Sequence, residues 1–77
     1  MPTTAHKIEL LTDAFDSHAR AECRVSMGDL SQEAVRSLIQ AQNRLFDRCI
    51  DSGMKLDDPT DPADFAAALI TKALVSA

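Results

Sequence analysis

The segment from Ser31 to Gly53 constrains the fold more than any other part of this sequence. Its large apolar residues recur at steps of three and four, the spacing that places side chains on one face of an α-helix. Ser31 is a preferred N-cap residue and Gly53 is a preferred residue just past a helix C-terminus, so both ends are marked. The sequence therefore predicts a helix over residues 31–52 with one buried stripe. The stripe consists of Val35, Leu38, Ile39, Gln42, Leu45, Phe46 and Cys49.

Two further amphipathic segments flank this helix. The first covers residues 5–26 and ends before a break at Gly28, and the third covers residues 62–76. The third begins with Asp61 as its N-cap and Pro62 at its first helical position. A short connection makes the first two helices antiparallel neighbours, and 77 residues suffice for one domain. The sequence predicts an all-α fold in one domain, an antiparallel helical hairpin plus a shorter third helix in a three-helix bundle that dimerises.

The third helix is shorter than the hairpin, so we expect part of the hairpin's apolar surface to stay uncovered. Exposed apolar patches of several hundred Å² usually mark an interface. The predicted function is non-catalytic protein–protein interaction, as a small adaptor, regulator or inhibitor. Its partner is another protein or a second copy in a homodimer. The candidate interface residues are Leu10, Phe15, His18, Leu38, Ile39, Gln42, Leu45, Phe46 and Ile50.

Two polar residues, His18 and Gln42, interrupt apolar stripes at the same level of the predicted hairpin. A buried polar group without a hydrogen-bond partner costs on the order of 1–3 kcal/mol. One interpretation is that the two side chains satisfy each other. The other is that a polar residue in an apolar seam fixes register or oligomeric state. Under the second interpretation, Gln42→Leu should give a more stable protein that assembles heterogeneously.

The connection between the second and third helices is acidic and carries no basic residue from Asp57 to Asp64. Its prolines push the preceding residues out of helical conformation, which predicts a loop. One interpretation is a solvated loop that ends in a helix cap, and the other is a docking face for a basic partner. The acidic residues are Asp57, Asp58, Asp61 and Asp64.

Charge and hydropathy disfavour several classes of protein. The net charge is −4 and no third of the chain is basic, whereas nucleic-acid binding through phosphates depends on clustered Lys and Arg. No uncharged run approaches the roughly 18 apolar residues that a membrane span needs. The N-terminal residues lack the apolar segment of a secretory signal, which favours a cytoplasmic protein.

The side chains that carry chemistry are scattered along the chain. Hairpin pairing places Cys23 near Val35, about 21 Å from Cys49 at 1.5 Å per helical residue. A disulfide needs Cα atoms within about 7 Å, so we expect two free thiols. There is no CxxC, HxxxH or HExxH spacing and no glycine-rich phosphate loop. We therefore expect no metal, no cofactor and no enzymatic activity.

Two alternatives stay open. Residues 23–27 alternate in period two, as in a short strand, and precede two helices. That order resembles ribbon-helix-helix proteins, and the resemblance implies a dimeric DNA-binding regulator. The other alternative is a phage or mobile-element protein that binds and inhibits a host protein, which the small size and the lack of active-site chemistry favour.

Overall fold

The computed structural model describes residues 4–76, which contain three α-helices and no β-strand. The helices are α1 (Thr4–Ser26), α2 (Gln32–Asp51) and α3 (Pro62–Ser76). The predicted all-α fold is confirmed, and each predicted helix end lies within one residue of the observed end. No helix among the described residues is long and apolar enough to cross a membrane.

Side-chain caps and one glycine explain why the helices begin and end where they do. The N–H of Ala34 donates to Ser31 Oγ at 3.2 Å, and the N–H of Ala63 donates to Asp61 Oδ1 at 2.8 Å. Each bond satisfies an N–H that has no acceptor within its own helix. Gly53 has a φ of 109°, in the left-handed region that favours glycine, and it follows the end of α2. The predicted caps are confirmed.

The first two helices form an antiparallel hairpin, as predicted. Lys7 near the start of α1 and Asp51 at the end of α2 line one surface depression. His18 and Gln42 line another, halfway along both helices. The contact between α1 and α2 is the most extensive in the fold.

Helix α3 covers only one half of this hairpin. Pro62 at its start lies beside His18 and Gln42, at the middle of the hairpin. Leu69 lies beside Ile8, near the start of α1. Helix α3 therefore runs away from the turn that joins α1 to α2, and the half of the hairpin next to that turn has no third helix on it.

The core lies where all three helices meet. It draws on α1, α2, the loop after α2 and α3, and half-buried aromatic and aliphatic side chains pack around it. The buried cluster consists of Leu11, Ala14, Leu45, Cys49, Met54 and Ala66.

Helix α2 is rotated relative to the predicted stripe. Ala34 and Ala41 are buried, whereas Val35 is 39% exposed and Ile39 is 52% exposed. Gln42 is exposed as well. The prediction that Gln42 lies in the centre of the buried face is therefore wrong. Small alanine side chains let two helices approach closely, and the larger residues then flank the contact.

Candidate functional site

One side of α2 next to the hairpin turn presents apolar side chains to solvent. Val35, Ile39 and Gln42 follow one another at spacings of four and three, so they share that side. We call these three residues the uncovered stripe. Phe46, one turn further along the same side, is half-buried against the core where α3 begins. The stripe therefore continues the surface that α3 covers.

The residues that flank the uncovered stripe carry little charge. Gln32 and Gln40 lie beside Val35 and Ile39 on the surface of α2 and are uncharged. Arg36 lies among them and is exposed. It forms no ion pair within residues 4–76. The stripe thus combines an apolar strip with one unpaired positive charge.

An open depression of about 550 Å³ lies where α1, α2 and the start of α3 meet. Leu45 and Phe46 supply apolar lining, and none of the described residues that line it is a Lys or Arg. We call it the acidic depression because its three carboxylates, Glu22, Asp61 and Asp64, come from two different helices and a loop end. Gln42 lines it too, so the acidic depression and the uncovered stripe are continuous.

His18 pairs with its own helix rather than with α2. Its side chain is only 12% exposed, and Nε2 lies 3.6 Å from Glu22 Oε2. His18 and Gln42 line the acidic depression together, but the described residues show no hydrogen bond between them. The interpretation that they satisfy each other is wrong, because Gln42 is exposed to water and needs no protein partner.

The turn that joins α1 to α2 is held by a charged hydrogen-bond network. Arg24 Nε donates to Asp29 Oδ2 at 2.6 Å, and the N–H of Ser31 donates to Asp29 Oδ1 at 3.1 Å. Hydrogen bonds from Ser31 and then Arg24 lower the pKa of Asp29 to about 2. The turn also carries Met27 and Leu30, which are both exposed. The uncovered half of the hairpin therefore ends in a turn that is held by hydrogen bonds to Asp29 and that exposes two apolar side chains.

The four acidic residues of the predicted docking loop have different surroundings. Asp58 Oδ1 accepts the N–H of Thr60 at 2.9 Å, and this bond lowers the pKa of Asp58. Asp61 caps α3 and also lines the acidic depression, together with Asp64. Asp57 is exposed. Asp58 thus shapes the loop, whereas Asp61 and Asp64, at the start of α3, line the acidic depression.

The other predicted interface residues lie elsewhere on the molecule. Leu45 is buried in the core, so it presents no surface to a partner. Phe15 and Ile50 are half-buried against the same core. Leu38 is half-buried between the core face and the uncovered stripe, and Leu10 lines a separate depression of about 250 Å³. Of the predicted set, Ile39 is the most exposed apolar side chain.

The predicted interface set omits three residues of this surface. Val35 and Arg36 lie on the exposed side of α2, and Glu22 lies on α1 across the acidic depression. Arg36 precedes Ile39 by three residues, a spacing that places both on neighbouring positions of a helix surface. That spacing is the sequence signal that places Arg36 beside the exposed Ile39. Glu22 becomes part of the site only because α3 stops beside it, which no local pattern reveals.

Both cysteines are free, Cys23 exposed and Cys49 buried. Cys49 Sγ donates to the carbonyl oxygen of Pro62 at 3.3 Å, which ties α2 to the start of α3. Burial raises the pKa of the Cys49 thiol, and the charge of Asp61 adds to this effect. Within residues 4–76 no group of three His, Cys, Asp or Glu side chains is placed to hold a metal ion.

The comparison with ribbon-helix-helix proteins fails at its strand. Residues 23–26 form the last turn of α1, and residues 27–28 form a turn. The period-two alternation in this segment therefore does not reflect a strand. No protein-family model matches the chain, and no curated protein or solved structure is significantly similar to it.

Proposed function

We propose that this chain is a non-catalytic protein–protein interaction module, a small adaptor, regulator or inhibitor, and that it binds through the uncovered stripe. The observation that carries the proposal is the exposure of Val35 and Ile39 on a surface that α3 covers about two turns later, at Phe46. Removing apolar surface from water contributes roughly 25 cal/mol per Å². A partner helix placed in line with α3 gains this free energy, and the hairpin is already folded to receive it.

The acidic depression supports a protein partner over a nucleic acid. It borders the uncovered stripe and contributes three carboxylates with no Lys or Arg among its lining residues. Phosphate groups are repelled by such a surface, whereas a basic side chain is attracted to it. Both cysteines are free, which favours action in a reducing compartment such as the cytoplasm.

Capture of binding proteins by three immobilised variants tests this function. The wild-type chain, Ile39→Ser and Leu56→Ser are incubated with the same extract under matched conditions. Leu56 is also exposed and apolar but lies in the loop after α2, so Leu56→Ser controls for a general loss of surface hydrophobicity. We expect a partner, or the chain itself, to bind wild type and Leu56→Ser and to be lost from Ile39→Ser. Identical capture by all three would contradict the proposal.

A further inference from the structure

We propose that the uncovered stripe binds a second copy of this chain, so that the two α2 helices pack antiparallel about a two-fold axis close to Ile39. Arg36 of each copy then enters the acidic depression of the other. The inference rests on the proposed function, because it names the partner for the same surface.

Electrostatic repulsion limits which surfaces of two copies can meet. A chain with a net charge of −4 repels its own copy at long range. The side of α2 around the uncovered stripe is different, because Gln32 and Gln40 are neutral and Arg36 is positive. No carboxylate lies among the residues that surround Val35 and Ile39 there. Two copies can therefore bring these sides together without placing carboxylates opposite one another.

The surface around Ile39 is complementary to a second copy of itself. In an antiparallel pair centred on Ile39, each residue lies opposite the residue equally far on the other side of the axis. Arg36 is three residues before Ile39 and Gln42 is three residues after it, each about 4.5 Å along the helix. Helix periodicity places Arg36 and Gln42 on opposite flanks of Ile39, so the partner's Arg36 lies at the level of Gln42 but beside Asn43, which also lines the acidic depression. Two-fold symmetry forms this contact twice in every dimer.

The charges at that contact are complementary. The acidic depression holds Glu22, Asp61 and Asp64 without a Lys or Arg, and Arg36 has no ion pair within the described residues. Guanidinium groups bind carboxylates in a planar, two-pronged geometry. Arg36 and the acidic depression belong to the same chain and lie on either side of Ile39 along α2. A second copy supplies what each depression lacks.

A charge reversal tests the contact directly. Sedimentation equilibrium is measured for the wild-type chain, Arg36→Asp, Asp64→Arg and the double variant that carries both. We expect each single reversal to weaken dimerisation at least about tenfold, the lower end for close charge pairs across interfaces. The double variant restores the pair with its signs exchanged and should regain most of the lost affinity. Arg20→Asp with Asp13→Arg, two exposed positions on α1, is the matched control and should leave dimerisation unchanged.

A second measurement, disulfide cross-linking, tests the proposal without the Asp64→Arg variant. Asp64 lies in the first turn of α3, where reversing its charge opposes the helix dipole. In a Cys23→Ser background, Ile39→Cys puts a thiol on the proposed axis and Lys7→Cys puts one at the far end of the hairpin. Oxidised glutathione should link two Ile39→Cys chains into a disulfide dimer much faster than two Lys7→Cys chains. Equal rates, or no rescue by the double variant, would overturn the proposal.

The outcomes also separate this inference from the proposed function. A wild-type chain that is monomeric at every concentration overturns the second-copy proposal. A synthetic amphipathic helix of Leu and Lys then serves as a probe for a heterologous basic partner. If the wild-type monomer binds this peptide and Ile39→Ser abolishes the binding, the proposed interaction module stands without self-association. If the wild-type chain is monomeric and Ile39→Ser leaves peptide binding unchanged, both the proposed dimer and the proposed binding surface are contradicted.

Discussion

Truncation of two aliphatic side chains on opposite sides of α2 tests the observed rotation of this helix. Leu45 is 2% exposed and belongs to the core, whereas Ile39 is 52% exposed. Leu45→Ala removes buried methyl groups and leaves a cavity, a change that costs about 2–5 kcal/mol. Ile39→Ala removes side-chain atoms that are already half in water, so its cost to the folded monomer should be about 0.5 kcal/mol or less.

This difference is large against the stability of the whole chain. At 0.05–0.15 kcal/mol per residue, 77 residues give a free energy of unfolding of about 4–12 kcal/mol. Leu45→Ala therefore removes a large share of the total. Because 1 kcal/mol shifts the Tm of so small a domain by about 4–8 °C, the Tm should fall by about 8 °C or more.

Urea unfolding followed by circular dichroism is the assay, run at a chain concentration low enough to keep every variant monomeric. We expect the midpoint to fall sharply for Leu45→Ala and to stay near the wild-type value for Ile39→Ala. Equal losses of stability in the two variants would refute the reasoning, because they would mean that both sides of α2 are buried to the same extent.

A disulfide reagent such as Ellman's reagent should label Cys23 rapidly and Cys49 only as the chain unfolds, because Cys49 is buried with a raised pKa; rapid labelling of both would contradict its burial. Gly53→Ala should destabilise the protein by about 1–2 kcal/mol in thermal unfolding, because φ is 109° while no atom obstructs the new methyl group; an unchanged Tm would contradict the left-handed backbone there. The pKa of Asp29 is lowered to about 2 from 3.8, so its contribution to stability should be complete above about pH 4 and lost as the pH falls to about 2. Asp29→Asn should therefore flatten the acid side of the stability profile between these pH values, and an unaltered profile would contradict the network around this turn.

The helix ends were predictable because their signals are local. Ser31 and Asp61 each bond an N–H two or three residues further on, and Gly53 adopts a backbone conformation that other residues avoid. Such interactions depend on a few neighbouring residues, so the sequence alone contains them.

The rotation of α2 was not predictable from the same evidence. A search for large apolar side chains favours Val35 and Ile39, but the helix buries Ala34 and Ala41 instead. Alanine fits either side of a helix, so it carries almost no periodic signal. The choice is made by how closely α1 can approach, which is a property of both helices together.

The extent of the site was not predictable either. Gln42 and Glu22 line the acidic depression because α3 begins beside them. The starting level of α3 depends on the path of the loop after α2, where Met54 is buried and Asp58 braces a turn. These are non-local constraints, and residue spacing along one helix does not contain them.

Small-angle X-ray scattering of the wild-type chain, recorded as it elutes from a sizing column at several loading concentrations, tests the proposed dimer most directly. We expect a mass approaching twice the 8.4 kDa of one chain as the concentration rises. The radius of gyration should rise with it, clearly above the 13.2 Å of the single chain. A mass of one chain and a radius of gyration close to that of the single chain at every concentration would contradict it.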